Sequence, residues 1–228
     1  MIAGVLLLID ITGGTIMRPY VKIASKKDPN VTLKVIHGHF ATPHSHVNCY
    51  FDVTTMKSRI SEARGVAEML SLRYSTSTPV DTIVCLNGTE VIGTFLAQAL
   101  TRTGVISYNA HKTIYVATPE YTSYDQIIFR DNMQIAIRGK HVLILTDSIT
   151  TGIAVSTAIE CLKYYHAEIT GVSAIFSVAK NAAGLDINSA FTPADVPEYA
   201  SYRHTNCPLC KKGEPIDALI NNYGYSEL

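Results

Sequence analysis

The stretch richest in chemistry is His141-Val-Leu-Ile-Leu-Thr-Asp-Ser-Ile-Thr-Thr-Gly152. An apolar run ends in an acid, and a hydroxyl-bearing turn closed by glycine leads toward a helical pattern. A phosphorylated sugar needs such a combination. Backbone N–H groups at a helix N-terminus bind phosphate, hydroxyls add donors, and a glycine permits close approach. On that reading Thr150 and Thr151 supply the hydroxyls and Gly152 the close approach. Asp147, at the carboxyl end of a strand, accepts hydrogen bonds from ribose hydroxyls or holds a hydrated Mg²⁺. The same spacing also suits an ordinary strand-turn-helix, with Asp147 as a cap and the threonines in solvent.

A second set of residues lies at the two ends of the chain. His37, His39, His44 and His46 place four of the eight histidines within a short span. Near the other end, Asn206-Cys-Pro-Leu-Cys-Lys-Lys-Gly213 follows His204. A C-x-x-C turn is half of a zinc knuckle, because that spacing lets both thiolates reach one tetrahedral ion. Cys207, Cys210 and His204 are then candidate ligands, with the His-rich segment another source. The alternative is a reduced thiol pair beside histidines that bind substrate or cap strands, and the absence of a second cysteine pair speaks for it. Five cysteines, an odd number, fit reduced thiols in a cytoplasmic protein better than a disulfide framework.

These residues need elements to hold them. Ile60, Ala63, Val66, Ala67, Leu70 and Tyr74 recur at helical spacing and predict a helix over 57–74. Short apolar runs at Asp81–Leu86, Ile114–Ala117, His141–Leu145 and Ile169–Phe176 predict strands, with a fragment at Ile127–Phe129. Between them, Val91–Leu100 and Ser156–Tyr165 predict helices. Strands alternating with helices point to a parallel α/β sheet flanked by helices. Three segments follow: an N-terminal hood over 1–50, an α/β core over 51–190 and a C-terminal cap with the C-x-x-C over 191–228.

Composition narrows the function. The 228 residues carry 19 basic and 19 acidic side chains, which excludes a nucleic-acid coat or a polybasic membrane binder. Charged residues make up 17%, below the roughly 25% of a typical soluble domain, so part of the surface is expected to be covered in a homodimer. The apolar opening, Met1 to Ile11, is too short to span a bilayer and lacks a signal-peptide pattern. It reads as a buried strand or a leader.

Val142 to Gly152 resembles the phosphoribosyl-pyrophosphate motif of type I phosphoribosyltransferases. Three other stretches agree in order. His44-Ser-His-Val-Asn-Cys-Tyr-Phe-Asp52, with Tyr50, is similar to the segment before the first core helix of the orotate enzymes. Leu86-Asn-Gly-Thr-Glu90 stands where that family binds pyrophosphate, and Ile114 to Arg138 where it has a flexible catalytic loop. The resemblance covers roughly residues 40–180, and the T-T-G turn is its most specific part.

The resemblance implies transfer of a phosphoribosyl group from phosphoribosyl pyrophosphate to a nucleobase, orotate first among them, with Mg²⁺ on the pyrophosphate. It assigns ribose hydroxyls to Asp147 and the 5′-phosphate to Ser148–Gly152. Asn87, Gly88, Thr89 and Glu90 line the pyrophosphate side, and Arg130 and Lys112 are the available cations. The sequence also departs from the family. Thr146 stands where the motif has its first acid, and Ile153 and Ala154 follow the T-T-G. Arg130 is the one basic residue between Tyr115 and Gln134. A non-catalytic phosphoribosyl- or nucleotide-binding regulator on the same fold is therefore the alternative. Glu90 equally suits a helix N-terminus, and Arg130 a solvated loop.

Overall fold

The structure is a computed structural model that describes residues 18–74, 76–123, 126–221 and 223–228. The opening Met1–Ile11 segment lies outside the described residues. The chain divides into two compact units, one made of residues 55–192 and the other of residues 1–54 with 193–228. The hood and cap segments thus share one unit.

In chain order the first unit to appear holds β1 (Val21–Ala24), β2 (Thr32–Ala41) and β3 (His46–Asp52). The core follows with α1 (Thr54–Ser58), α2 (Ile60–Ser71), β4 (Thr82–Cys85) and α3 (Glu90–Arg102). Next come β5 (Tyr115–Ala117), β6 (Glu120–Tyr121), β7 (Ile127–Ile128), β8 (His141–Ile149) and α4 (Ile153–Tyr164). The core ends with β9 (Glu168–Ser177), β10 (Asn181–Ala182) and β11 (Leu185–Phe191). The chain then returns to the other unit through β12 (Ser201–Tyr202), α5 (Pro208–Lys211), β13 (Ala218–Asn221) and β14 (Gly224–Glu227).

The core sheet runs β10-β11-β9-β8-β4-β5, parallel throughout except for the short β10. Its central strands hold continuous apolar runs because helices cover both faces. Every residue of β4 is buried, as are Val142 to Leu145 in β8. Val155, Ala158, Ile159 and Leu162 of α4 join Val84, Ile144 and Val172 in one cluster. Each such aliphatic side chain contributes about 1.5–3 kcal/mol when fully buried.

The parallel strands β4, β5, β8, β9 and β11 stand in the order 2-1-3-4-5 by sequence. The chain steps from β4 to β5 on one side, then crosses to β8 on the other. Connections leave β4 and β8 in opposite directions, so a crevice opens at their carboxyl ends, where open α/β sheets bind ligands.

The other unit has the sheet β12-β3-β2-β13-β14, with β1 also on β2. Ile36, Phe40, Val47 and Ala218 form one buried cluster in it, against which Tyr50 and Tyr225 pack. Among the described residues, no helix is long and apolar enough to cross a membrane.

Candidate functional site

The strand β8 does not stop at Leu145. It continues through Thr146, Asp147 and Ser148 to Ile149, because β9 carries the ladder on beside it with Ser148 opposite Phe176 and Ile149 opposite Ser177. Asp147 is thereby held in the crevice between β4 and β8, 5% exposed. Its Oδ1 accepts from the Ser148 N–H at 2.6 Å and from Asn87 Nδ2 at 2.9 Å. The Asn87 amide also reaches Thr146 Oγ1 at 3.3 Å, so the hydroxyl that replaces the family's first acid is tied to the same network.

Asn87 can do this because of the turn it sits in. It follows β4 with φ +56°, and Gly88 follows with φ +77°. Asparagine tolerates this left-handed region better than other side chains. The turn folds back toward β8 and returns at once into α3. Thr89 is fully buried, and its hydroxyl donates to the carbonyls of Leu86 and Leu145 at 2.9 and 3.2 Å. Its side chain therefore braces the turn and does not face a ligand. Glu90 opens α3 and accepts from Thr118 Oγ1 at 3.1 Å.

One cation reaches the site that the sequence did not mark. Lys57 Nζ donates to the Asn87 carbonyl at 2.9 Å and lies 3.4 Å from Asp147 Oδ2. No motif or spacing signals it, since it is 90 residues from Asp147 and sits in the short helix α1. Burial pushes the nearby Cys85 thiol up to about 12, with Glu90 adding to the effect, so it stays protonated and supplies no thiolate nucleophile.

Beyond β8 the turn Thr150–Gly152 leads into α4. Gly152 takes φ +78°, which a residue with a Cβ adopts only under strain. The Ile153 N–H that opens α4 makes a long contact, 3.5 Å, to Thr151 Oγ1, and the first turn of the helix holds no acid. Ser148, Thr150 and Thr151 are exposed beside it. That end of the helix keeps its dipole and N–H groups for an anion. Ile149 differs from its neighbours: its side chain is 2% exposed and packs in the core.

Among the described residues, Ser148, Asn87 and Lys57 contact Asp147, and the remaining expected site residues have other neighbours. Arg130 is held by Glu120 through Nε at 2.7 Å and Nη2 at 2.5 Å, beside the β6–β7 ribbon. Lys112 is exposed in a turn at φ +56°. Tyr50 belongs to the other unit, its ring 5.3 Å from that of Tyr225. That unit also brings together His39, His46, Cys207 and Cys210. His204, named with the cysteines from sequence, is exposed and is not one of the four.

No protein-family model matches the chain. Among curated proteins, the orotate phosphoribosyltransferase of Chlorobium phaeobacteroides is 31% identical over 187 residues, covering 81% of this chain and 88% of its own. That of Chlorobaculum parvum is 28% identical over 185 residues, with the same two shares, 81% and 88%. Of solved structures, Leishmania donovani UMP synthase superposes with a TM-score of 0.50 at 15% identity, over 79% of this chain and 36% of its own, a likeness of fold. A relative of that identity along most of both chains, added to a 2-1-3-4-5 sheet with an acid and open hydroxyls at its switch point, leads to one conclusion: this chain belongs to the type I phosphoribosyltransferase family and resembles the orotate phosphoribosyltransferases within it.

Proposed function

We propose that the protein transfers the 5-phosphoribosyl group from phosphoribosyl pyrophosphate to orotate, giving orotidine 5′-monophosphate and pyrophosphate. The observation that carries this reading is the buried Asp147 at the mouth of the β4–β8 crevice, flanked by exposed Ser148, Thr150 and Thr151. The names of the relatives at 31% and 28% identity support orotate as the base.

Such a transfer breaks the bond from C1′ to the pyrophosphate oxygen and forms one to a base nitrogen, whose proton leaves to solvent. The transition state carries positive charge on the ribose, so positioning and electrostatics matter more than a protein nucleophile. Asp147 holds the ribose hydroxyls and places an anion near the developing charge. The N-terminus of α4 and the hydroxyls of Ser148, Thr150 and Thr151 hold the 5′-phosphate. The backbone of the Asn87–Gly88 turn and Lys57 take the pyrophosphate side. The oxygen donors here, the Asp147 carboxylate and Glu90 at the start of α3 just past the Asn87–Gly88 turn, suit a hard cation that keeps most of its waters. Bound with the pyrophosphate, Mg²⁺ would neutralise charge on the leaving group. The low charge content supports a homodimer as the working state, and the odd number of cysteines supports a cytoplasmic setting.

A second reading, ligand binding without turnover, is favoured by Arg130. The one basic residue of the 115–134 stretch is paired with Glu120. The test is pyrophosphate release from phosphoribosyl pyrophosphate and Mg²⁺ with a panel of bases. Turnover with orotate is the expected result. Saturable binding without release on any base would favour the regulator, and absence of binding would overturn both.

A further inference from the structure

The other unit holds a group of side chains that phosphoribosyl transfer does not use. His39, His46, Cys207 and Cys210 each turn one ligand atom toward the others, all within 4.8 Å of one another. His39 Nε2 lies 3.1 Å from His46 Nδ1, 3.5 Å from Cys207 Sγ and 3.6 Å from Cys210 Sγ. Cys210 Sγ is 3.3 Å from His46 Nδ1. A tetrahedral zinc with bonds of about 2.05 Å to nitrogen and about 2.3 Å to sulfur has N–N edges of about 3.3 Å and N–S edges of about 3.6 Å. The four distances match those edges to within about 0.3 Å.

The two thiols are within hydrogen-bonding distance of the ring nitrogens, and the tautomer of His39 also suits a metal. His39 Nδ1 faces two acceptors, the carbonyls of Glu214 at 3.0 Å and Pro215 at 3.1 Å, so it carries the proton. Nε2 is then a bare lone pair, directed at three other ligand atoms in a site where His39 is 3% and Cys207 1% exposed. A carbonyl holding the far N–H of an imidazole is the usual outer partner of a metal-bound histidine. The peptide of His39 is fixed as well: its N–H donates to Asp217 Oδ2 and its carbonyl accepts from the Asp217 N–H, both at 2.7 Å.

The local backbone explains how these residues meet. In the β2–β3 pairing, His37 stands opposite Cys49 and Phe40 opposite Val47, so Gly38 and His39 together face Asn48. This bulge separates two histidines that a regular strand would point the same way. His37 stays exposed while His39 turns into the group. A Cβ at Gly38 would come within 2.7 Å of Asp217 Oδ2, so the bulge and the strap from the C-terminal segment require glycine there. His46 lies just past the hairpin tip, opposite Ala41. Cys207 and Cys210 come from the turn that starts α5.

We propose that this unit contains a structural zinc site with His39 Nε2, His46 Nδ1, Cys207 Sγ and Cys210 Sγ as its ligands. Two thiolates and two imidazoles in a tetrahedral arrangement select zinc, and four protein ligands leave no open position, which makes the site structural and not catalytic. The ion ties the β2–β3 hairpin to the C-terminal segment. It does not depend on which reaction the core performs.

The test is metal analysis of the full chain, purified without chelator and then loaded with zinc or cobalt. The expected result is about one zinc per chain, and for cobalt a tetrahedral absorption spectrum with thiolate charge transfer. Cys207→Ser and Cys210→Ser should each remove a large part of that charge-transfer band, whereas His204→Ala should leave it unchanged. Removing zinc with a chelator should lower the thermal midpoint. A wild-type chain that takes up no zinc, a Cys207–Cys210 disulfide in its place, or a cobalt spectrum without thiolate bands would each overturn the proposal, whether or not the serine variants fold.

Discussion

Two buried acids, Asp81 and Asp147, sit at opposite ends of the same pair of strands. Asp81 precedes β4 at the amino edge, 1% exposed. It accepts from His141 Nδ1 at 2.7 Å, the His141 N–H at 3.0 Å, the Tyr108 N–H at 2.5 Å and Ser107 Oγ at 3.2 Å. Asp147, at the carboxyl edge, has one backbone N–H at 2.6 Å and otherwise side chains, with Lys57 at 3.4 Å. Both carboxylates are buried, but their partners differ in kind. Two backbone N–H groups, the His141 ring and the Ser107 hydroxyl enclose the first. One backbone N–H, the Asn87 amide and the long Lys57 side chain border the second, and under the proposed function Lys57 is the partner that gives way to a ligand. Burial of an acid therefore does not distinguish a structural role from a functional one. What distinguishes them is whether the partners can be given up.

The sharpest way to break this comparison is Asp147→Asn. Pyrophosphate release should fall about 100-fold or more, the scale of losing one preorganised electrostatic group at a transition state. The thermal midpoint should move little, and a variant that unfolds while its folded fraction retains full turnover would erase the contrast. Asp81→Asn should do the reverse. Breaking a buried, hydrogen-bonded charge costs about 3 kcal/mol, read from urea unfolding, with turnover of the folded enzyme unchanged.

The same acid gives a pH signature with a definite sign. Burial raises the Asp81 carboxyl, but hydrogen bonds from the His141 backbone and ring, Tyr108 and Ser107 outweigh it and hold it below the ordinary aspartate value. Its contribution is full above about pH 4 and fades as pH falls through the depressed value. The stability gap between wild type and Asp81→Asn should thus narrow on acidification. A gap that widened would mean the pairing had been misread.

Lys57→Met should have the smallest effect. If Lys57 exchanges Asp147 for a substrate phosphate, KM for phosphoribosyl pyrophosphate rises about tenfold with less change in kcat. A drop in thermal midpoint at constant KM would make Lys57 a structural partner of Asp147, as His141 is of Asp81.

Sequence carried the core sheet well where strands were buried on both faces. Val142–Leu145 and Ile83–Cys85 are apolar runs with little else they can be. It stopped β8 too early, because Thr146, Asp147 and Ser148 are polar and their place in the strand is set by β9. It passed over β11, Leu185–Phe191, where polar and apolar residues mix and the partner strand supplies the order. The acid and hydroxyl turn was legible because its chemistry is local. Lys57 was not, since its role arises only from contact with a distant strand. The histidines and the C-x-x-C were each visible, but a bulge decides which histidine faces the cysteines, and a bulge leaves no periodic trace.

The pairing of β2 with β13, Phe40 opposite Ala218, has a consequence for how the chain is made. Synthesis delivers β2 before the whole 55–192 unit and β13 after it. That intervening unit is a continuous stretch and can fold as soon as it has emerged. The hairpin made before it still lacks one neighbouring strand and both thiols that face His39. During translation, therefore, the 55–192 unit can be complete while β2 still waits for β13.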